Sequence, residues 1–428
     1  FSNDNIVIDG ISTLKPFTQI YSAYKLSLTN TPSTTALINK VFSQQPSVQL
    51  KDANDNYVEQ KDVEITASVK TGSGTLRDDT QSGTIKINTN GKGAADFNNL
   101  QYSKAENVTI EFSAPGYATV EYTITVEDPA NVFTTSESSG NLTITGYTGS
   151  GDPLEILDSI GGKPVTAIAD NAFKDKTTIK NVIIPASVTQ IGSSAFYKCT
   201  GITKVEIATS SSLKTIGDNA FYHCDALSYI NIPDGITKID WNAFMYCSKL
   251  TGIYIPSTVS FIGGYAFTGC SKLTEINVDG GNLNFSSADG VLYNKTGTEI
   301  LAYPGGKSGE FTIPGGVTTI GGNAFRECDL LSKVTIPNNV TQINFSAFYH
   351  CHGLTEVTIP DTVKEISYTA FADCGELTSL TIMPGVEKIC QSAFQSCSKL
   401  TSVTIPTSVT TIGEYAFYYC SGLTSVTI

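Results

Sequence analysis

Nine of the ten cysteines in this 428-residue chain stand three residues after the phenylalanine of an Ala-Phe pair: Cys199, Cys224, Cys247, Cys270, Cys328, Cys351, Cys374, Cys397 and Cys420. A thiol repeated at fixed spacing could serve as a nucleophile, a disulfide half or a metal ligand. Stacked in register about 4.8 Å apart, however, such residues have parallel Cβ vectors too far apart for the usual bridge without backbone movement. Nine is also odd, and Lys176 takes the place in the first copy. The column holds no C-x-x-C, so the zinc signal is weak. The expectation is a line of small buried hydrophobes, with disulfides and metal binding as the alternatives. Cys390, which replaces the Gly of an Ile-Gly pair, is expected to be partly exposed.

The other chemistry-bearing residues are sparse. Of three histidines, His223, His350 and His352, two flank Cys351 and are expected to be turn residues. No H-E-x-x-H, G-x-S-x-G or phosphate loop occurs, and the G-x-G of "GKGAAD" and "TGSGTL" lacks a following helix. No catalytic residue and no cofactor is assigned, and the chain is not expected to be an enzyme. "KDANDN", with Asp52, Asn54, Asp55 and Asn56, resembles the calcium linker motif of cadherins. Hard oxygen ligands at alternate positions could hold calcium. Asn and Asp also dominate simple turns, and a turn is the expectation, with no metal assigned.

The elements that position these residues repeat. The Ala-Phe phenylalanines are Phe173, Phe196, Phe221, Phe244, Phe267, Phe325, Phe348, Phe371, Phe394 and Phe417, at spacings of 23, 25, 23, 23, 58, 23, 23, 23 and 23. A fixed period in the twenties means stacked supersecondary units. Each unit reads L-T-x-V-T-I-P-x-x-V-x-x-I-G-x-x-A-F-x-x-C, in which the first six letters alternate like a short strand. No unit could bury its apolar edge alone, so the repeated letters are the inward ones. The long gap holds "GVLY" and "EILAYP" around "NKTGT", a hairpin pattern, so the array is interrupted there and not ended. The sequence stops at Ile428 inside a strand pattern, which predicts a longer native chain or a truncated piece. It begins at Phe1 with no leader, so a signal peptide was removed or never existed.

Residues 1–128 lack the period and contain no cysteine. The runs "YKLSLT", "SVQLK", "VEITASV", "TIKI", "VTIEFS" and "ATVEYTITV" alternate and are separated by Gly- and Asn-rich turns. That pattern predicts a β-sandwich. The fold class is therefore mostly β: residues 1–20 a leader segment or linker, 21–128 a sandwich, and 129–428 a repeat solenoid with a hairpin insertion at about 279–312.

A formal charge of -13 and a pI near 4.7 repel nucleic acid and anionic membrane. The longest apolar stretches fall well short of the roughly 20 residues of a membrane span. Neither a nucleic-acid partner nor membrane insertion is expected. Abundant Ser, Thr, Asn and Gly with scarce Lys and Arg favours an exported surface protein.

In the strand "L-T-x-V-T-I" the third and fifth letters face outward. In the later units they are nearly all Ser and Thr, which is what strand propensity supplies. The earlier units differ. Tyr229, Asn231 and Tyr254, flanked by Lys204, Glu206, Glu275 and Asn277, place two aromatics and several polar groups on neighbouring rungs. Rigid aromatics among polar groups are the usual contents of a recognition patch, although Tyr is also simply a good strand residue. Trp241, the sole Trp, could stack on a sugar ring, or cover a neighbouring rung. Tyr197, Tyr222, Tyr349 and Tyr418 are expected to cover the turn.

The repeat "IP..V..I...AF..C..L..V.IP" resembles the BspA-like leucine-rich repeats of bacterial surface proteins, over roughly residues 130–428. "GYTGSGDPLEILDSIGGKPVTAIADNAF" looks like the usual first unit of that family, and "DGVLYNKTGTEILAYP" is similar to a common insertion. "PSVQLKDANDNYVEQKDVEITASV" and "TNGKGAADFNNL" look like a bacterial Ig-like domain of the invasin type. The resemblance implies a secreted or cell-surface, adhesin-like protein that binds an extracellular protein or glycan. The alternative is a structural surface spacer with no specific ligand.

Overall fold

The 23-residue period winds into a coil that lays down two short parallel strands per turn. The structure, a computed structural model, describes residues 24–149 and 153–428, and the expected leader or linker at 1–20 lies outside the described residues. The chain divides into two compact units, one up to Asp128 and one from Pro129.

In the second unit the "LTxVTI" letters form the first ladder, through Asn181–Ile184, Lys204–Ile207, Tyr229–Ile230, Gly252–Ile255 and Glu275–Val278. Register is kept from Asn181 to Lys204 to Tyr229, and from Tyr254 to Asn277. The two letters ending in the Ile of "xxIG" form the second ladder, with Ile191, Ile216, Ile239 and Ile262 in line. Alternation with period two puts Val205 and Ile207 inside and Lys204 and Glu206 outside.

The "xxAFxx" letters form the turn that closes each coil. Two of its residues take left-handed backbone, for example Asn219 and His223, or Asn242 and Tyr246. Each such non-glycine residue costs about 1–2 kcal/mol, offset by bonds along the coil axis: Asn219, Phe221 and His223 donate their amides to the carbonyls of Trp241, Ala243 and Met245 at 2.9, 2.8 and 2.9 Å. Between these amides the phenyl rings stack face to face, 4.9 Å apart for Phe173 and Phe196 and 5.6 Å for Phe221 and Phe244.

This geometry supplies a physical reason for the cysteine that the sequence reading missed. Each thiol of the column donates to the carbonyl of the aromatic residue in the preceding unit: Cys224 to Phe196 and Cys247 to Phe221 at 3.2 Å, Cys351 to Phe325 at 2.9 Å, and Cys328 to Tyr303 at 3.6 Å. A residue here must be small, apolar and able to donate one weak hydrogen bond, which describes a thiol. All ten cysteines are free and buried. Burial pushes the Cys199 and Cys270 thiols up to about 12. Cys390 is a correction: it is 2% exposed, its thiol covered where it donates to Glu365 at 2.9 Å.

The interruption is one further unit carrying an insertion. Ala302-Tyr303 takes the place of Ala-Phe, and the Tyr303 ring stacks 4.9 Å from Phe325. Before it, Phe285–Ala288, Val291–Asn294 and Glu299–Ala302 run antiparallel in sequence order, and Glu299–Ala302 then starts a new parallel ladder with Ile300 opposite Ile320. The second ladder therefore ends at Phe261–Ile262 and begins afresh beyond the insertion.

In the first unit, four strands (Tyr117–Ala118, Tyr24–Asn30, Ser47–Lys51, Ala94–Asp96) and five strands (Thr35–Leu37, Val120–Glu127, Asn107–Ser113, Glu64–Thr71, Ile85–Asn88) form two sheets. Their alternate residues, among them Leu26, Val48, Leu50, Ile65, Ile110 and Ile124, share one core. Phe97 meets Phe112 edge-on at 5.1 Å within it. Tyr102 is fully buried, and its hydroxyl donates to Glu106 at 2.7 Å.

Candidate functional site

Seven of the eight residues singled out by sequence fall on the outer face of the first ladder. Tyr229 and Tyr254 are 51% and 50% exposed, and the register puts them diagonally on neighbouring rungs, Tyr229 at the third letter and Tyr254 at the fifth. The Lys204 ammonium bonds Glu206 at 2.6 Å and stands 5.8 Å from the Tyr229 ring centre. Its pKa is raised, first by the Glu206 hydrogen bond. Between Tyr229 and Glu275 the third letter is Gly252, and a Cβ there would meet the Glu275 side chain at 3.2 Å. The missing side chain lets Glu275 lean toward Tyr229. Beyond Glu275 the face meets the insertion: Ile276 donates to the carbonyl of Gly290 at 2.8 Å and Val278 to the Ser287 hydroxyl at 2.9 Å.

Two members behave in ways the sequence did not foretell. Asn231 turns its amide along the sheet, accepting from the Ile207 amide at 2.8 Å and donating to its carbonyl at 2.6 Å. It replaces a ladder bond and offers little to a ligand. Tyr254 donates to Asp279 at 2.6 Å, and that bond is the first cause of its raised pKa. Asp279 was overlooked because it follows the strand, although its place two residues after Asn277 keeps it on the same side of the chain. Asn277 is exposed opposite Tyr254.

Trp241 is not brought to this face. It follows Lys238–Ile239 of the second ladder, is 50% exposed, and lies over Gly264 of the next unit, where a Cβ would sit 2.5 Å from the indole.

The remaining candidates have internal partners. Asp52 accepts the amides of Asn54 and Asn56 at 2.8 and 2.9 Å, and Asp55 pairs with Lys25 at 2.9 Å. These bonds hold the carboxylates of "KDANDN" in a turn. His350 pairs with Asp373 at 3.2 Å and His352 with Asp329 at 2.9 Å. Among the described residues no cluster of three or more His, Cys, Asp and Glu could hold a metal ion, and no helix is long and apolar enough to cross a membrane.

No curated protein matches the chain. Several solved structures do. A leucine-rich cell surface protein from Faecalibacterium prausnitzii is 30% identical, over 69% of this chain and 93% of that one, at a TM-score of 0.47. The pneumococcal vaccine antigen PcpA is 20% identical over 69% and 78% of the two chains, at 0.49. A leucine-rich repeat protein from Eubacterium ventriosum is 26% identical over 65% and 90%, at 0.44. The model of the BspA type leucine rich repeat region matches residues 166–288 and 303–428 in six copies, parting only around the insertion. With more than half of its length matched, carried by the repeated Ile-Pro, Ala-Phe and Cys letters, the chain belongs to the BspA-type leucine-rich-repeat family.

Proposed function

We propose that the chain is the recognition part of a secreted or cell-surface bacterial protein and that the first-ladder face from Lys204 to Asn277 binds an extracellular protein. The observation that carries the reading is the pair Tyr229 and Tyr254, each half exposed on adjacent rungs among charges of both signs. Tyrosines supply large contact area at low entropic cost, and neighbouring opposite charges set register with a partner more than raw affinity. Lys204, Glu206, Glu275 and Asn277 would form the polar rim.

The first unit is assigned, on the same footing, as an invasin-type Ig-like sandwich spanning 21–128. Its two sheets over one apolar core, without cysteine or tryptophan, support a spacer that needs no disulfide. The solenoid would run over 129–428 with the insertion at about 279–312.

One observation favours a spacer role for the later half of the solenoid. Apart from the paired Lys333 and Glu356, its outward letters, Thr335, Thr358, Thr381 and Thr404 with Ser379 and Ser402, are Ser and Thr and carry no aromatic anchor. The test is saturable binding of the full chain to a panel of purified extracellular matrix proteins by surface plasmon resonance. Saturable binding to at least one supports recognition. Uniformly linear, non-saturating responses would leave the spacer reading for the whole chain.

A further inference from the structure

The break in the second ladder leaves a trough whose composition differs from the rest of the surface. Trp241, Gly264, Gly322 and Phe345 each stand three residues before the Phe of their unit, on either side of the break in the second ladder, and Ala302, of the Ala-Tyr pair, lines the same trough. The two ends are aromatic and the three middle residues small. Both rings lean inward: Trp241 covers Gly264, and Phe345 covers Gly322, where a Cβ would fall 2.6 Å from the ring. They are 50% and 51% exposed. The trough between them encloses a cavity of about 240 Å³.

Its wall carries polar groups that the protein leaves unmatched. Asn323 is 8% exposed, and its Oδ1 has no hydrogen-bond partner. The Arg326 guanidinium lies 4.1 Å over the Tyr349 ring and forms an ion pair with Glu327 at 3.5 Å, yet its Nε makes no hydrogen bond. Glu299 also lines the trough, and burial alone pushes its carboxyl pKa up. A buried unsatisfied polar group costs about 1–3 kcal/mol, and the two residues that carry such atoms both line this trough, so each calls for an explanation such as a ligand.

The unmatched groups narrow the ligand. Asn323 Oδ1 and Glu299 need donors, and Arg326 needs an acceptor. An anion would satisfy Arg326 and be repelled by Glu299, and a cation the reverse. A neutral polyol serves both, because each hydroxyl is donor and acceptor, and a pyranose adds an apolar C–H face for the rings of Trp241 and Phe345. The small middle residues, Gly264, Ala302 and Gly322, line the space between the two rings. We propose that this trough is a saccharide-binding site, separate from the Tyr229–Tyr254 face, that takes a neutral mono- or disaccharide between Trp241 and Phe345.

The sole tryptophan of the chain sits at the mouth, so its emission reports occupancy. The full chain is titrated with glucose, galactose, mannose, N-acetylglucosamine and their common disaccharides, and affinity is measured by calorimetry. At least one sugar is expected to change the emission saturably below about 10 mM, and Trp241→Ala to weaken its binding at least about tenfold. The Tyr229→Ala/Tyr254→Ala variant should bind that sugar as the parent does, which separates this proposal from the sheet-face reading. No change with any sugar, or equal affinity in Trp241→Ala with unchanged thermal unfolding, overturns it.

Discussion

The Tyr246 hydroxyl donates to Glu327 at 3.1 Å, joining residues 81 positions apart across the interruption of the array. Burial and the Glu327 charge push the Tyr246 pKa up to about 12. With Arg326 standing 5.4 Å from the Tyr265 ring, and the amide of Gly306 donating to the carbonyl of Leu273 at 2.7 Å, the bond couples two stretches whose second ladders are not joined. A solenoid is stable through its nearest-neighbour interfaces, and this interface is the one the insertion weakens.

Tyr246→Phe should therefore cost about 1 kcal/mol, and Gly269→Ala more. Gly269 has φ of +71°, and a Cβ there would stand 2.3 Å from the Tyr246 ring. Urea unfolding by far-UV circular dichroism should show both losses. In Gly269→Ala the transition should broaden or split as the halves unfold separately.

The thiol column makes a second prediction. Buried thiols whose pKa values burial raises, Cys224 and Cys247 among them, should not react with Ellman's reagent in the folded chain, Cys420, whose pKa a hydrogen bond with Cys397 lowers, should be the first to react, and all ten should react in denaturant without prior reduction. Cys247→Ala removes the donor to Phe221 and leaves a small void, a loss of about 1–3 kcal/mol, measurable as a lowered urea midpoint.

Acid should loosen the first unit through one carboxylate. Glu106 accepts the amides of Ser73 and Gly74 at 2.6 and 2.9 Å and the Tyr102 hydroxyl at 2.7 Å. These bonds, that from Ser73 foremost, hold its pKa at about 2 against an ordinary 4.5. A depressed folded-state pKa means that the stabilisation is complete above pH 4.5 and is lost as pH falls toward 2. Glu106→Gln should be less stable at pH 7, and the difference from the parent should shrink across that window. Thermal melts at intervals of half a pH unit would show it, and a constant difference would refute it.

Much of the fold was legible because the repeat makes each inward letter visible ten times over. The alternation in "LTEVTIP" located the first ladder and its outward letters, since a period of two leaves no other face for them. The unit hidden in the interruption was not legible: Tyr303 replaces Phe and lies 36 residues after Phe267, so a search for Ala-Phe passes over it. Its signal is the Ala302-Tyr303 pair 22 residues before Phe325. Cys390 was misjudged because a position that usually holds Gly gives no hint of the Glu365 oxygen waiting one rung away. For the candidate face, the alternation put seven residues on one side of the strands but could not see Asn231 turn its amide onto Ile207, since side-chain direction within the sheet depends on the neighbouring strand. Trp241 stood apart because its letter belongs to the second ladder.

The central claim is that fixed letters build the interior and the variable outward letters of the earlier units make the binding face. Replacing Tyr229→Ser and Tyr254→Thr gives that face the letters of the later units, and as exposed strand substitutions they should shift unfolding by no more than about 0.5 kcal/mol. The decisive measurement is the affinity of this double variant for a matrix protein that the parent chain binds, compared at equal folded fraction. A loss of at least about tenfold is the predicted result, and parent-like affinity would contradict the assignment of the face.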